Sequence, residues 1–182
     1  ELHDALASGG GRVLVGYQFR HDPGLIRARE WIAEGAIGLP LTARAHWGEY
    51  LPDWHPWEDY RTSYAARTGL GGGVLLTLSH PFDYLRWLLG EASTCWGETR
   101  RSGALDLEVE DTVEAVLEYA GGALVSIHLD YLQRPPQHGL QVIGEQGTLG
   151  WDGLSGDVRC RAHDAPGFHP LAVEPATHQA FQ

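Results

Sequence analysis

TVEAVLEYAGGALVSIHLDYL, residues 112–132, reads as two strands folded back on each other. Segments 112–120 and 123–132 have strand composition, and Gly121-Gly122 between them makes a tight hairpin turn. Alternation in the second strand puts His128 and Asp130 on one face and Tyr131 on the other. Toward the C-terminus, 139–144, 147–151 and 157–162 also read as strands, with GEQG at 144–147 as a turn. Toward the N-terminus, 93–101 is a strand, and the period changes to two at Leu41 for another over 41–51.

Helices precede and interrupt this run. Residues 23–34 form an amphipathic helix, with Leu25, Ile26, Ala28, Trp31 and Ile32 on one side and Arg27, Arg29, Glu30 and Glu34 on the other. Asp22 is its expected N-cap, Pro23 stands at the first helical position, and Gly35 and Gly38 end it. Residues 71–89, GGGVLLTLSHPFDYLRWLL, are a Gly-rich entry and a buried helix stopped at Gly90. Pro81 either kinks that helix or sits in the first turn of one that begins near Ser79. Residues 52–69 hold Trp54, His55, Trp57, Tyr60 and Tyr64 without sustained periodicity, so a long, ordered loop with at most a short helix is expected. The fold class is α+β: a large, mostly antiparallel sheet with helices on one face.

The first residues read differently. Residues 1–9 look like the end of a helix, with Leu2, Ala5 and Leu6 on one face and a Gly run at 9–11 to stop it. Val13, Leu14 and Val15, closed by Gly16, suit a buried parallel strand. Together they resemble the last helix and strand of a larger α/β domain, which divides the chain into 1–17 and 18–182. There is no Met, and the chain starts at Glu1, as expected of a processed or trimmed product.

Composition narrows the function. A formal charge of −11 repels phosphate backbones and argues against nucleic acid. No apolar stretch approaches the roughly 20 residues of a membrane helix, and no signal peptide is evident. Cys95 and Cys160 are too few for a disulfide scaffold, so a reduced, cytoplasmic setting is expected. All 13 basic residues are Arg, which excludes Schiff-base and phosphate-loop lysines.

Three groups of residues could carry chemistry. Thr77, His80 and Asp83 share one face at helical spacing. There Asp83 could orient His80, and His80 could move a proton at neutral pH. The plainer reading is a structural histidine with Asp83 as an N-cap. His55, Trp57, Tyr60, Tyr64 and Arg67 combine ring faces with donors, which suits a carbohydrate; alternatively the rings only pin the loop. His128, Asp130, Tyr131, Arg134 and His138 lie at a strand end, where Arg134 could clamp a carboxylate. The alternative there is a strand edge guarded by charge and proline. Ten histidines raise a metal, but neither His163 with His169 nor His128-x-Asp130 has a strong ligand spacing, so no metal is expected. Gly71 to Gly73 do not follow a strand and make no dinucleotide fingerprint.

VGYQFRHDPGL, ARxWIAEGAIGLPL, GGGVLLTLSHPFDYLRWLLGE, EDTVEAVLEY and VIGEQGTLGWD, in that order between Leu2 and Asp152, resemble the glucose–fructose oxidoreductase / inositol dehydrogenase / MocA family. The resemblance implies an N-terminal Rossmann domain binding NAD or NADP, a C-terminal α+β domain, and substrate between them. It also implies pairing of subunits through the sheet, as a homodimer or homotetramer. His80 matches the family's catalytic histidine, while the aspartate commonly found three or four residues earlier is replaced by Thr77 or Leu76. Tyr17, Gln18 and Arg20 would lie near the cofactor; Trp54, Trp57, Arg67, Asp83, His128 and Arg134 would contact substrate. The family's dinucleotide motif and its Glu-Lys-Pro lysine would lie upstream of Glu1, so this chain alone is expected to be inactive. Residues 175–182 would start a closing helix with Thr177 as N-cap. The expected reaction is hydride transfer on a sugar, polyol or sugar derivative. A non-catalytic ligand-binding or dimerisation module and a metal-dependent sugar lyase or isomerase stand as alternatives.

Overall fold

The computed structural model describes residues 2–163 and 169–171. Eight strands make one sheet: β1 (Pro40–Tyr50), β2 (Ala92–Arg100), β3 (Thr112–Tyr119), β4 (Leu124–Asp130), β5 (Leu132–Gly144), β6 (Gly147–Asp152), β7 (Val158–Ala162) and β8 (His169–Leu171). Their spatial order is β2-β3-β4-β1-β5-β6-β7-β8. Every neighbouring pair is antiparallel except β1 and β4. The hairpin expected at Gly121-Gly122 joins β3 to β4, and Gly122 takes the left-handed φ of 88° that such a turn requires. Tyr131, fully buried, is the corner where the chain passes from one side of β1 to the other. Its carbonyl accepts the Leu51 amide at 3.1 Å.

Alternation gives the sheet two unlike faces. Ala43, Ala45 and Trp47 of β1, Val113, Ala115 and Leu117 of β3, Val125, Ile127 and Leu129 of β4, and Leu140 and Val142 of β5 are buried on one face. The helices cover that face. These are α2 (Pro23–Ala33) against β6 and β7, α3 (Val74–Thr77) against β3 and β4, and α4 (His80–Leu89) against β1. The other face carries Thr42, Arg44, His46, Glu114, His128 and Gln141, and no described helix covers it. A further helix, α1 (Leu2–Gly9), lies at the start of the chain. Asp22 caps α2 as expected, accepting the Leu25 amide at 3.0 Å.

Three features depart from the sequence reading, and a fourth decides between two readings. Residues 10–17 carry no strand; Val13, Leu14 and Val15 are 54, 92 and 68 % exposed. A buried parallel strand needs a neighbour on each side, and no described strand pairs with this segment. Of the two forms expected around Pro81, the structure shows the fresh start: α3 ends at Thr77 and α4 begins at His80 with Ser79 as its N-cap. Pro81, lacking an amide hydrogen, sits in the first turn of α4, where that hydrogen is not needed. β5 begins at Leu132, seven residues before the expected strand, with its prolines beside a register shift opposite Gly48 and Tyr50. β8 was not expected at all. The loop at 52–69 contains only short 3-10 turns. The expected helix over 175–182 lies outside the described residues.

Candidate functional site

His80 opens α4 and is half-buried. Its imidazole lies edge-on to Phe19, with ring centres 4.8 Å apart, and 5.4 Å from Trp47. Tyr17 approaches to 6.3 Å. Tyr17 is the one non-glycine residue with positive φ among those described, at 38°. Its strained backbone turns the chain into the 3-10 turn Gln18–His21, which buries Phe19 against His80 and Trp47.

Trp47 connects His80 to two further polar groups. Its ring stacks on His138, 3.8 Å centre to centre and 16° from parallel. Its indole N–H donates to Glu49 Oε1 at 2.8 Å, and His138 Nε2 lies 2.8 Å from the same oxygen. Burial pushes the Glu49 carboxyl up, but His138, the Trp47 donor and nearby His80 outweigh it, holding it below the usual carboxylate range. The result is two imidazoles and a carboxylate gathered around one indole on the helix-covered face. Such a set can take up, hold and return a proton. Trp47 and Glu49 were not among the expected residues, and His138 was expected with His128 and Arg134 rather than here. A glutamate in phase with Ala43, Ala45 and Trp47 on a strand was the available signal, since a core-facing carboxylate needs partners.

The sequence candidates scatter more widely than their spacing suggested. Thr77 is separated from His80 by the break at Leu78 and Ser79, so the two share no helix face. The Thr77 hydroxyl lies instead by the Tyr131 phenol, which burial pushes up. Asp83 grips Arg20, with Arg20 Nε to Oδ2 at 2.9 Å and Nη2 to Oδ1 at 2.6 Å. Arg20 is thereby committed to α4. Gln18 is exposed beside it. Trp54 packs edge-on to Tyr131 and lines a cleft of about 190 Å³ with His55, Tyr60, Ser63 and Tyr64. Trp57 is 76 % exposed with its ring 5.3 Å from His55, and Arg67 lines a separate shallow hollow with Arg61 and Arg101. The Arg134 guanidinium carbon sits 4.0 Å from the centre of the Tyr50 ring.

His128 belongs elsewhere. It projects from the open face of the sheet, opposite the side that carries Trp47. Its Nδ1 is 2.6 Å from Glu114 Oε1 and its Nε2 3.0 Å from Asp130 Oδ2. Those contacts, Asp130 first, outweigh partial burial and push the imidazole up to about 9. Asp130 is held low by the same pairing and by backbone amides, against the effect of burial.

Residues 25–150 match the sequence pattern of the GFO/IDH/MocA C-terminal domain. The chain belongs to that family. Among GFO/IDH/MocA relatives, it is 27% identical over 150 residues to levoglucosan dehydrogenase of Pseudarthrobacter phenanthrenivorans, covering 69% of this chain and 38% of that protein. It is 31% identical over 123 residues to 1,5-anhydro-D-fructose reductase of Ensifer adhaerens, covering 66% of this chain and 35% of that protein. The chain thus spans well under half the length of these relatives. A solved levoglucosan dehydrogenase in complex with NADH and levoglucosan superposes with a TM-score of 0.79 at 20% identity, over 94% of this chain and 50% of that one. At that identity the likeness establishes a shared GFO/IDH/MocA fold.

Proposed function

We propose that this chain is the substrate-facing and proton-handling part of an NAD(P)-dependent oxidoreductase acting on a sugar, polyol or sugar derivative. The observation that carries the reading is the placement of His80. It stands at the head of α4 beside Tyr17 and Trp47, with Glu49 and His138 against the same indole. In this reading His80 takes or returns the proton of the substrate hydroxyl, worth about 10²–10⁴ in rate. Glu49 favours the protonated ring when the proton arrives. Trp54, with Trp57 and Arg67 farther out on the loop, contacts the sugar, and Tyr17 and Gln18 face the cofactor.

The residues present do not fit the cofactor's pyrophosphate. A Cβ at Gly73 would strike the Glu110 carboxylate, and one at Gly72 the Tyr64 and Ala65 carbonyls. A Gly-rich turn lined by acceptor oxygens repels phosphate. The nicotinamide would supply hydride exchange, and none of the residues above takes part in that. We therefore assign nucleotide binding to a separate Rossmann domain, of which residues 1–17 are the last part. We further propose that copies pair through the open face, where Trp96 is 57 %, Leu124 49 % and Ile143 37 % exposed. No described helix is long and apolar enough to cross a membrane, and Cys95 and Cys160 are both free thiols. A cytoplasmic setting fits that thiol chemistry.

The test is to assay the complete gene product for NAD(P)H formation against a panel of sugars and polyols, with and without His80→Asn. The expected result is turnover on one such class and a loss of about 10²-fold or more in kcat for the variant, with an unchanged melting temperature. Equal loss of activity and stability would reduce His80 to a packing residue.

A further inference from the structure

We propose that His46, His128 and Asp130 form a binding site for a divalent transition metal on the open face of the sheet. The site lies on the face opposite His80, so this inference stands independently of the proposed oxidoreductase chemistry.

The argument begins with strand pairing. β1 and β4 are neighbouring strands inside the sheet and run parallel, which makes His46 and His128 direct partners across the pair. Their rings stack 4.8 Å apart. Asp130 is two residues further along β4 on the same face, next to Gly48 of β1. One ligand atom from each of His46, His128 and Asp130 can be chosen so that all lie within 4.8 Å of one another. A tetrahedral ion with metal–ligand bonds of about 2.0–2.2 Å holds its ligand atoms roughly 3.3–3.6 Å apart. The widest pair of the trio therefore has to close by about an ångström, a movement that rotation of the imidazole and carboxylate side chains would supply.

The surroundings are also arranged for an ion. Glu114 reaches the Nδ1 side of His128 at 2.6 Å, leaving Nε2 directed at Asp130. A carboxylate behind a ligating imidazole fixes the ring and raises its basicity. Asp130 is 5 % exposed, so water shields its charge little. The carboxylates of Asp130 and Glu114 balance a divalent cation once both imidazoles are neutral. Gly48 provides the room, since a Cβ there would collide with Asp130 Oδ2 and the Gln133 side chain. Gln133 Oε1 holds His46 Nε2 at 2.7 Å and would yield that nitrogen to the ion. Two imidazoles and one carboxylate suit zinc or another late first-row metal, whereas magnesium and calcium prefer oxygen alone.

The experiment uses the tag-free chain, stripped with a chelator and titrated with Zn²⁺ by calorimetry at neutral pH. We expect one ion per chain. His46→Ala or His128→Ala should weaken binding at least about tenfold, and Glu114→Gln by about 10–100-fold. His163→Ala, at an exposed histidine apart from the trio, should change nothing. Histidine-selective NMR of the unmodified chain removes any dependence on how the variants fold. Zn²⁺ should shift the imidazole signals of His46 and His128 and leave His163 in place, and Mg²⁺ should shift none. Absence of stoichiometric binding, or Zn²⁺ shifts spread evenly over the histidines, would overturn the proposal.

Discussion

Arg20 and Asp83 form a two-pronged ion pair that ties the segment entering the sheet domain to the helix bearing His80. The two ends of the pair are unequal. The Asp83 side chain is 9 % exposed and that of Arg20 38 %. Arg20→Ala therefore strands a nearly buried carboxylate, at about 1–2 kcal/mol, the low end of what an unsatisfied charged group costs because one partner already meets water. Asp83→Asn leaves a guanidinium that can hydrate and should cost less. Urea midpoints of the two variants measure the difference, and a larger loss in Asp83→Asn would contradict it.

Glu49 sets a direction for acid sensitivity. Its carboxyl is held below its ordinary range in the folded chain. A depressed folded value means that the stabilisation is complete above the unfolded value of about 4.5 and is lost as pH falls through the folded one. Denaturation midpoints should drop over that acidic window, and Glu49→Gln should flatten the drop while lowering stability at neutral pH. A Glu49→Gln profile parallel to the parent's would remove Glu49 as the cause.

Strand positions were legible because alternation is local: the expected strands at 41–51, 93–101, 112–120 and 147–151 each match an observed strand to within one residue at either end. What faces what was not legible. The meeting of His46 with His128 depends on a parallel pairing between residues 82 positions apart, and the gathering of Glu49 and His138 around Trp47 depends on β1 lying beside β5. Nothing within a single strand encodes its neighbour. The spacing of Thr77, His80 and Asp83 misled for a local reason. It presumed one continuous helix, and Pro81 favours a fresh start that turns Thr77 off the face. Val13 to Val15 read as a strand from apolarity alone, yet a strand forms only when its amides find partners.

Asp22 accepts two hydrogen bonds in the core, from the Leu25 amide at 3.0 Å and from Trp151 Nε1 at 3.0 Å. It is 3 % exposed. Asp22→Ala removes a helix cap worth about 0.5–2 kcal/mol and leaves a buried indole N–H at about 1–3 kcal/mol. A combined loss of about 2–4 kcal/mol is expected. Because both bonds share one carboxylate, Asp22→Ala and Trp151→Phe should be less than additive when combined. Strict additivity in a double-mutant cycle would show that the indole bond contributes nothing.

Tyr84 presents the opposite case, a polar atom whose removal should help. The side chain is fully buried in α4 with its ring 5.6 Å from Trp151. Its hydroxyl meets no hydrogen-bond partner among the described residues, and burial pushes the phenol's ionisation up. A buried hydroxyl without a partner carries a desolvation cost of about 1–3 kcal/mol. Tyr84→Phe keeps the ring contacts and removes that cost, at the expense of a void one oxygen wide. Stability should rise by about 1 kcal/mol, seen as a higher urea midpoint with an unchanged slope. A loss of that size would mean that the hydroxyl is satisfied in solution by a buried water, and the same variant would then report the bond that water makes.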